Sequence, residues 1–237
     1  MGRPRYPQKT PTPPPLPPER RTGGQLIAES IRIYYEQFWR VAPLGLAAVP
    51  FVLAEHFYGG SGDGIPSATH LGLVVLIEAP VFAAAYAGAC LLVLGEASPA
   101  RIARAWALGI PIYAGGRLLA TLFVLPGLLW LALLGLAVPV VLVEDASPRR
   151  ALRRATELAR ADLVHAVGGL AALALVTFLA GATLAILLHT QAANSSLLAF
   201  GIAQAVLLPV LLIGSAMLYL DQAARRRLKA PGETVAA

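Results

Sequence analysis

Apolar segments long enough to cross a bilayer follow one another through this sequence, and lysine and arginine stand only in every second gap between them. That pattern leaves few folds open. A bilayer has no water to satisfy backbone amides, so a single crossing is normally a helix of roughly 20 apolar residues that bonds its own backbone. Six segments qualify: Phe38–Tyr58, Leu71–Gly95, Gly109–Val124, Gly127–Val143, Ala166–His189 and Leu197–Leu220. The third and fourth are short and parted only by Leu125-Pro126-Gly127, read as a tight turn because proline followed by glycine breaks a helix readily. One kinked helix there would leave five spans.

The basic residues decide between five and six. Arg3, Arg5, Lys9, Arg20, Arg21, Arg32 and Arg40 precede or open the first span. Arg101 and Arg104 follow the second, Arg149, Arg150, Arg153, Arg154 and Arg160 the fourth, and Arg225, Arg226, Arg227 and Lys229 the sixth. The other gaps have none, so 18 of the 19 basic residues share one side, and the remaining one, Arg117, is inside a span. Five spans would put the Arg149–Arg160 cluster on the opposite side. The positive-inside rule makes the basic side cytoplasmic, with both termini on it. The expected fold is therefore all-α, a polytopic bundle of six transmembrane helices.

Composition agrees. The 237 residues are 57% hydrophobic and 14% charged, against about 45–50% and 25% in soluble domains. A net charge of +6 can signal nucleic acid, but the clusters abut apolar segments, so the expected partner is anionic phospholipid and not nucleic acid. Cys90 is the sole cysteine, which excludes an intrachain disulfide and any CxxC site.

Three domains are expected: a proline-rich cytoplasmic tail over 1–24, the transmembrane domain over 25–224, and a basic cytoplasmic tail over 225–237. The tail carries eight prolines before Arg21 and no apolar core of signal-peptide length. A plain disordered tail is the commoner reading of such composition. A protein partner that docks the run Pro11–Pro18 is the alternative.

Two interfacial amphipathic helices are expected on the cytoplasmic side. In the first, Gln25–Trp39, residues Ile27, Ile31, Tyr34, Tyr35, Phe38 and Trp39 share a face. In the second, Ala151, Leu152, Ala155, Leu158, Ala159 and Leu163 oppose Arg149, Arg150, Arg153, Arg154, Glu157 and Arg160, and Asp162 alone breaks the pattern. Such a helix is expected to lie flat on the leaflet, with Arg149, Arg150, Arg153 and Arg154 touching lipid. Ser147 and Pro148 suit its N-cap and first position. The string Leu94-Gly95-Glu96-Ala97-Ser98-Pro99 is echoed by Val143-Glu144-Asp145-Ala146-Ser147-Pro148, which suggests three repeats of interfacial helix plus transmembrane hairpin.

Glu78 and Arg117 sit within predicted spans, Arg117 near the middle of the third. A charge there costs at least about 2.5–3.5 kcal/mol and demands a partner, so an ion pair between them is expected. It is either a substrate or proton path or an architectural pair. His56, His70 and His189, with Glu55 and Asp63, fall at the extracytoplasmic ends; they are weak metal candidates, because their spacing fits no metal motif. No HExxH, GxSxG or P-loop occurs, and Gly214-Ser215-Ala216 lacks the flanking glycine of a nucleophile elbow. No cofactor is expected. Alanine and glycine at Ala83–Ala89, Gly168, Gly169 and Gly181 suit close helix packing, and Pro50, Pro80, Pro139 and Pro209 allow kinks.

The segment Val143–Leu158, with its Val-Glu end, Ala-Leu-x-Arg helix and preceding Leu125-Pro126-Gly127 turn, resembles stand-alone proteins similar to the membrane domain of glycerophosphoryl diester phosphodiesterases. Tyr219, Asp221 and Arg225 match the close of that family, while Ala155-Thr156 departs from its usual Ser-Trp. The resemblance spans about Gln25 to Lys229 and implies a six-span fold in a bacterial plasma membrane. It does not imply phosphodiester hydrolysis. None of His56, His70, His165 and His189 begins the His-Arg-Gly string that the separate catalytic barrel needs. The expected function is a non-enzymatic accessory or organising factor that binds anionic lipid. The alternative is a small transporter or permease subunit with its polar site at Glu78 and Arg117. An intramembrane metalloenzyme would rest on the histidines alone.

Overall fold

The computed structural model describes residues 17–50, 52–53, 68–189 and 196–229. Every element among them is a helix. In chain order they are α1 (Gly23–Glu36), α2 (Phe38–Val41), a 3-10 segment (Ala42–Ala47), α3 (Ala68–Leu94), α4 (Pro99–Leu122), α5 (Val124–Leu134), α6 (Ala137–Glu144), α7 (Pro148–Ala161), α8 (Leu163–His189) and α9 (Ser196–Lys229). Four stretches are long and apolar enough to cross a membrane: Leu71–Leu94 in α3, Val124–Glu144 across α5 and α6, Leu163–Leu184 in α8, and Gly201–Leu228 in α9.

The α3, α8 and α9 helices follow the expected second, fifth and sixth segments closely. The first segment differs. From Phe38 the chain makes one helical turn and then six residues of 3-10 helix, because Pro43 has no amide to donate. Gly45 lies against α9 so closely that a Cβ would fall on the Ala205 carbonyl. The remainder of that segment is partly outside the described residues.

The α4–α5 turn also differs. Phe123, with φ −154° and ψ 141°, is the only residue between the two helices. Pro126 falls three residues later, in the first turn of α5, where a missing amide costs no helical bond. Gly127 serves packing: a Cβ there would meet Ala120 Cβ at 2.8 Å and the Gly116 carbonyl at 2.9 Å. The hairpin tip is apolar and exposed at Leu122, Phe123, Val124 and Leu125.

The two echoed strings have matching joints. Gly95 (φ 100°) and Asp145 (φ 50°) each follow a helix in the left-handed region, and Pro99 and Pro148 each open the next helix. Ser98 accepts from the Arg101 amide at 3.4 Å, whereas Ser147 makes no such side-chain bond. Beyond the joints the units diverge. After Pro99 one helix of 24 residues runs on unbroken, with no separate interfacial helix; after Pro148 α7 stops at Ala161. Asp162, the outlier on the helical wheel, is the break itself. Its carboxylate accepts from the His165 amide at 3.1 Å and caps α8.

The main core joins α3, α4, α6, α7 and α9 largely through alanine and valine, among them Ala85, Ala87, Ala89 and Ala105, and Val138, Val140 and Val141. A second cluster seats Leu26 and Val41 against Leu173, Ile213 and Met217. Small side chains let backbones approach, the main source of helix attraction where lipid is as apolar as the core.

Arg21, inside the predicted disordered 1–24, is only 6% exposed. α9 continues through the predicted tail as far as Lys229. The proline run before Pro17 lies outside the described residues.

Candidate functional site

The structure brings Glu78 of α3 and Arg117 of α4 together: Arg117 Nε–H donates to Glu78 Oε2 at 3.2 Å. The α4 helix begins ten residues before the expected span, so Arg117 lies 18 residues from Pro99, about 27 Å along the axis and not near its middle. The antiparallel partner α3 carries Glu78 to the same level. Glu78 is almost fully buried, while the Arg117 side chain remains 32% exposed.

That pair lines a cavity of about 250 Å³ among α3, α4, α5, α8 and α9. The walls are otherwise mostly aliphatic, with Leu131, Leu170 and Leu211 prominent. Three hydroxyl side chains also line it, Tyr86, Tyr113 and Ser215. The Tyr86 hydroxyl donates to the Ser215 carbonyl at 3.3 Å, and Tyr113 meets the Tyr86 ring edge-on at 5.9 Å.

At the other end of the bundle lies a set of ion pairs. Arg21 Nη1 donates to Asp221 Oδ1 at 2.5 Å, and its Nε lies 3.2 Å from Glu29 Oε2. Asp221 is fully buried, and its Oδ2 is 3.4 Å from His165 Nε2. Arg225 donates to Asp162 at 2.7 Å and to the Arg21 carbonyl at 2.8 Å, and the Gln222 amide donates to the Asp162 carbonyl at 3.2 Å. The start of α1, the α7–α8 joint and the end of α9 are thereby fastened together. Burial works to raise the Asp162 carboxyl, but the His165 amide and Arg225 guanidinium outweigh it and hold the group below 3.8.

Two smaller sets flank this one. Glu144 accepts from Arg154 at 3.2 Å and from the Tyr219 hydroxyl at 3.3 Å. Arg104 and Arg101 reach Asp145 at 2.5 and 3.3 Å; the Arg104 bond above all keeps that exposed carboxyl below 3.8.

The four predicted lipid contacts are split by this arrangement. Arg154 is half-buried and paired with Glu144 and Glu157. Arg153 is exposed and makes an i,i+4 pair with Glu157 at 3.1 Å. Arg149 and Arg150 are exposed and form no ion pair among the described residues. The expectation that the apolar stripe of α7 lies in lipid is corrected. Ala151, Ala155, Leu158 and Ala159 are fully buried against the bundle, since the three alanines leave room for neighbouring helices to approach. Only the polar face of α7 looks outward.

The stretch α1–α2 is divided too. Leu26 and Ser30 are buried, with Ile27 and Tyr34 packed nearby, whereas Ile31, Tyr35, Phe38 and Trp39 are exposed, Trp39 to 86%. The edge-on stack of Tyr34, Phe38 and Trp39, with centroids 5.6 and 5.2 Å apart, makes an aromatic ridge of interfacial type.

His56, Glu55 and Asp63 lie outside the described residues, as do the side chains of His70 and His189. Among the described residues no three His, Cys, Asp or Glu side chains are grouped to hold a metal. The residues missed from sequence are Arg21, Asp162 and His165. The lone wheel violation at Asp162 was their available signal.

No protein-family model, curated protein or solved structure matches this chain.

Proposed function

We propose that this is a non-enzymatic six-span membrane protein, an accessory or organising factor that binds anionic lipid at the cytoplasmic leaflet, as the resemblance to the phosphodiesterase membrane-domain family implies for its fold. The observation that carries the lipid reading is α7. Its apolar stripe is used up in packing, so Arg149, Arg150 and Arg153 project from a rigid support. An arginine face fixed beside a bilayer attracts phosphatidylglycerol-type headgroups by about 1 kcal/mol per charge. The exposed aromatic residues Tyr35, Phe38 and Trp39 of α1 and α2 are of the type that suits a membrane interface.

Six spans rest on further arguments. α4 is 24 residues long, about 36 Å, which exceeds a hydrocarbon core of about 30 Å. Its break at Phe123 is lipid-facing, and irregular backbone is tolerated in lipid only near the interface. Crossing by both α4 and α5 satisfies that constraint. A repeat of interfacial helix and hairpin is supported only at the two matching joints.

The test uses the protein reconstituted in phosphatidylcholine bilayers with a trace of spin-labelled phosphatidylglycerol. The wild type immobilises the anionic probe in preference to a phosphatidylcholine probe. Arg149→Gln, Arg150→Gln and Arg153→Gln together reduce that preference. An unchanged preference overturns the reading.

The transporter reading draws on the cavity at Glu78 and Arg117. A polar solute needs several convergent polar groups, and these walls are mainly aliphatic.

A further inference from the structure

We infer that the cavity holds one hydrocarbon chain of an amphiphile whose uncharged, hydroxyl-bearing end rests at the Glu78–Arg117 pair. This does not depend on the arginine face of α7, which lies on a different surface.

The walls decide the body of the ligand. Leucine, valine and alanine from five helices surround about 250 Å³. The aliphatic stretch of these walls favours an apolar guest, because water against it forfeits hydrogen bonds. The volume is below that of drug-sized sites at about 300–1,000 Å³, so a single chain suits it better than a bulky ring system.

The polar wall decides the head. Glu78 and Arg117 neutralise each other at 3.2 Å. A carboxylate or phosphate head would be repelled by Glu78, and an ammonium head by Arg117. A neutral hydroxyl both donates and accepts, so it bonds the carboxylate and the guanidinium without parting them. The exposed part of Arg117 shows that the pair is not sealed within the bundle.

Photolabelling tests the inference with the full chain in nanodiscs. The probes are a monoacylglycerol, a fatty acid and an alkane, each with a diazirine at mid-chain. Labelled residues are read by peptide mass spectrometry. The monoacylglycerol is expected to mark Leu131 and Leu211 above the other two probes. All three mark the lipid-facing Leu76, Leu122 and Phe178 alike. Ala132→Phe and Ala174→Phe each fill the cavity, and in whichever folds, cavity labelling falls by about tenfold or more through lost methylene contacts. Labels confined to lipid-facing residues in the wild type overturn the inference outright, with no variant needed. Stronger cavity labelling by the fatty acid, or equal labelling by the alkane, overturns the assignment of the head.

Discussion

Asp221 has no access to solvent, and Arg21 is the charge that compensates it. Leaving a buried ion alone costs about 3–5 kcal/mol. Arg21→Gln is therefore expected to lower the thermal midpoint of the detergent-purified protein sharply; Arg20→Gln serves as a control, and equal midpoints would contradict the assignment. Asp162 and Asp145 carry the acid response. Both carboxyls are held below 3.8 in the fold, so the stability they add is full above that pH and is lost as pH falls through the lower folded values. An acid melt of the Asp162→Asn variant should be flatter than wild type below about pH 4. Little of this network could be read from sequence. The matched Tyr219, Asp221 and Arg225 drew attention to the end of α9, but their partners Arg21 and Asp162 are remote in the chain. Nothing local distinguished Arg21 from the other arginines of a proline-rich tail. Glu78 and Arg117 were legible because a charge within an apolar run needs a partner. Glu78→Gln and Arg117→Leu should each destabilise, and the double variant by less than their sum, with a coupling of about 0.5–3 kcal/mol. Additive losses would rule out an energetic link.

At the scale of elements, hydrophobic length located α3, α8 and α9 to within a few residues at most ends, because such runs have no competing structure in lipid. Turn chemistry was less legible. Pro126 and Gly127 marked the α4–α5 hairpin, yet the break is at Phe123: proline is tolerated in a first turn, and glycine there answers to packing. Gly127→Leu should cost about 1–3 kcal/mol by overpacking against Ala120, seen as a lowered midpoint; a neutral result would mean the helices part without penalty. α7 teaches a related lesson. Its periodicity named the buried face correctly, but periodicity cannot say whether lipid or protein covers that face. The alanines were the clue, since a lipid-inserted stripe gains more from large side chains.

For the molecule as a whole, the sets built on Arg21 and Arg154 both reach α9, at Asp221 and through Glu144 at Tyr219, and Arg101 and Arg104 pair with the adjacent Asp145, while the α4–α5 tip from Leu122 to Leu125 is bare of charge. That polarity is the basis on which we propose an inward basic end and an arginine face against anionic lipid. The cavity lies apart from it, with Arg117 about 27 Å along α4 from Pro99. Cysteine accessibility tests the orientation most directly. In a Cys90→Ser background, Arg150→Cys, Arg227→Cys and Ser195→Cys are each exposed to a membrane-impermeant maleimide on intact cells and again after permeabilisation. The account predicts that Cys at 195 reacts from outside, and that Cys at 150 and 227 reacts only after permeabilisation. Labelling of Cys at 150 on intact cells would contradict it, because the arginine face would then lie on the wrong side of the membrane.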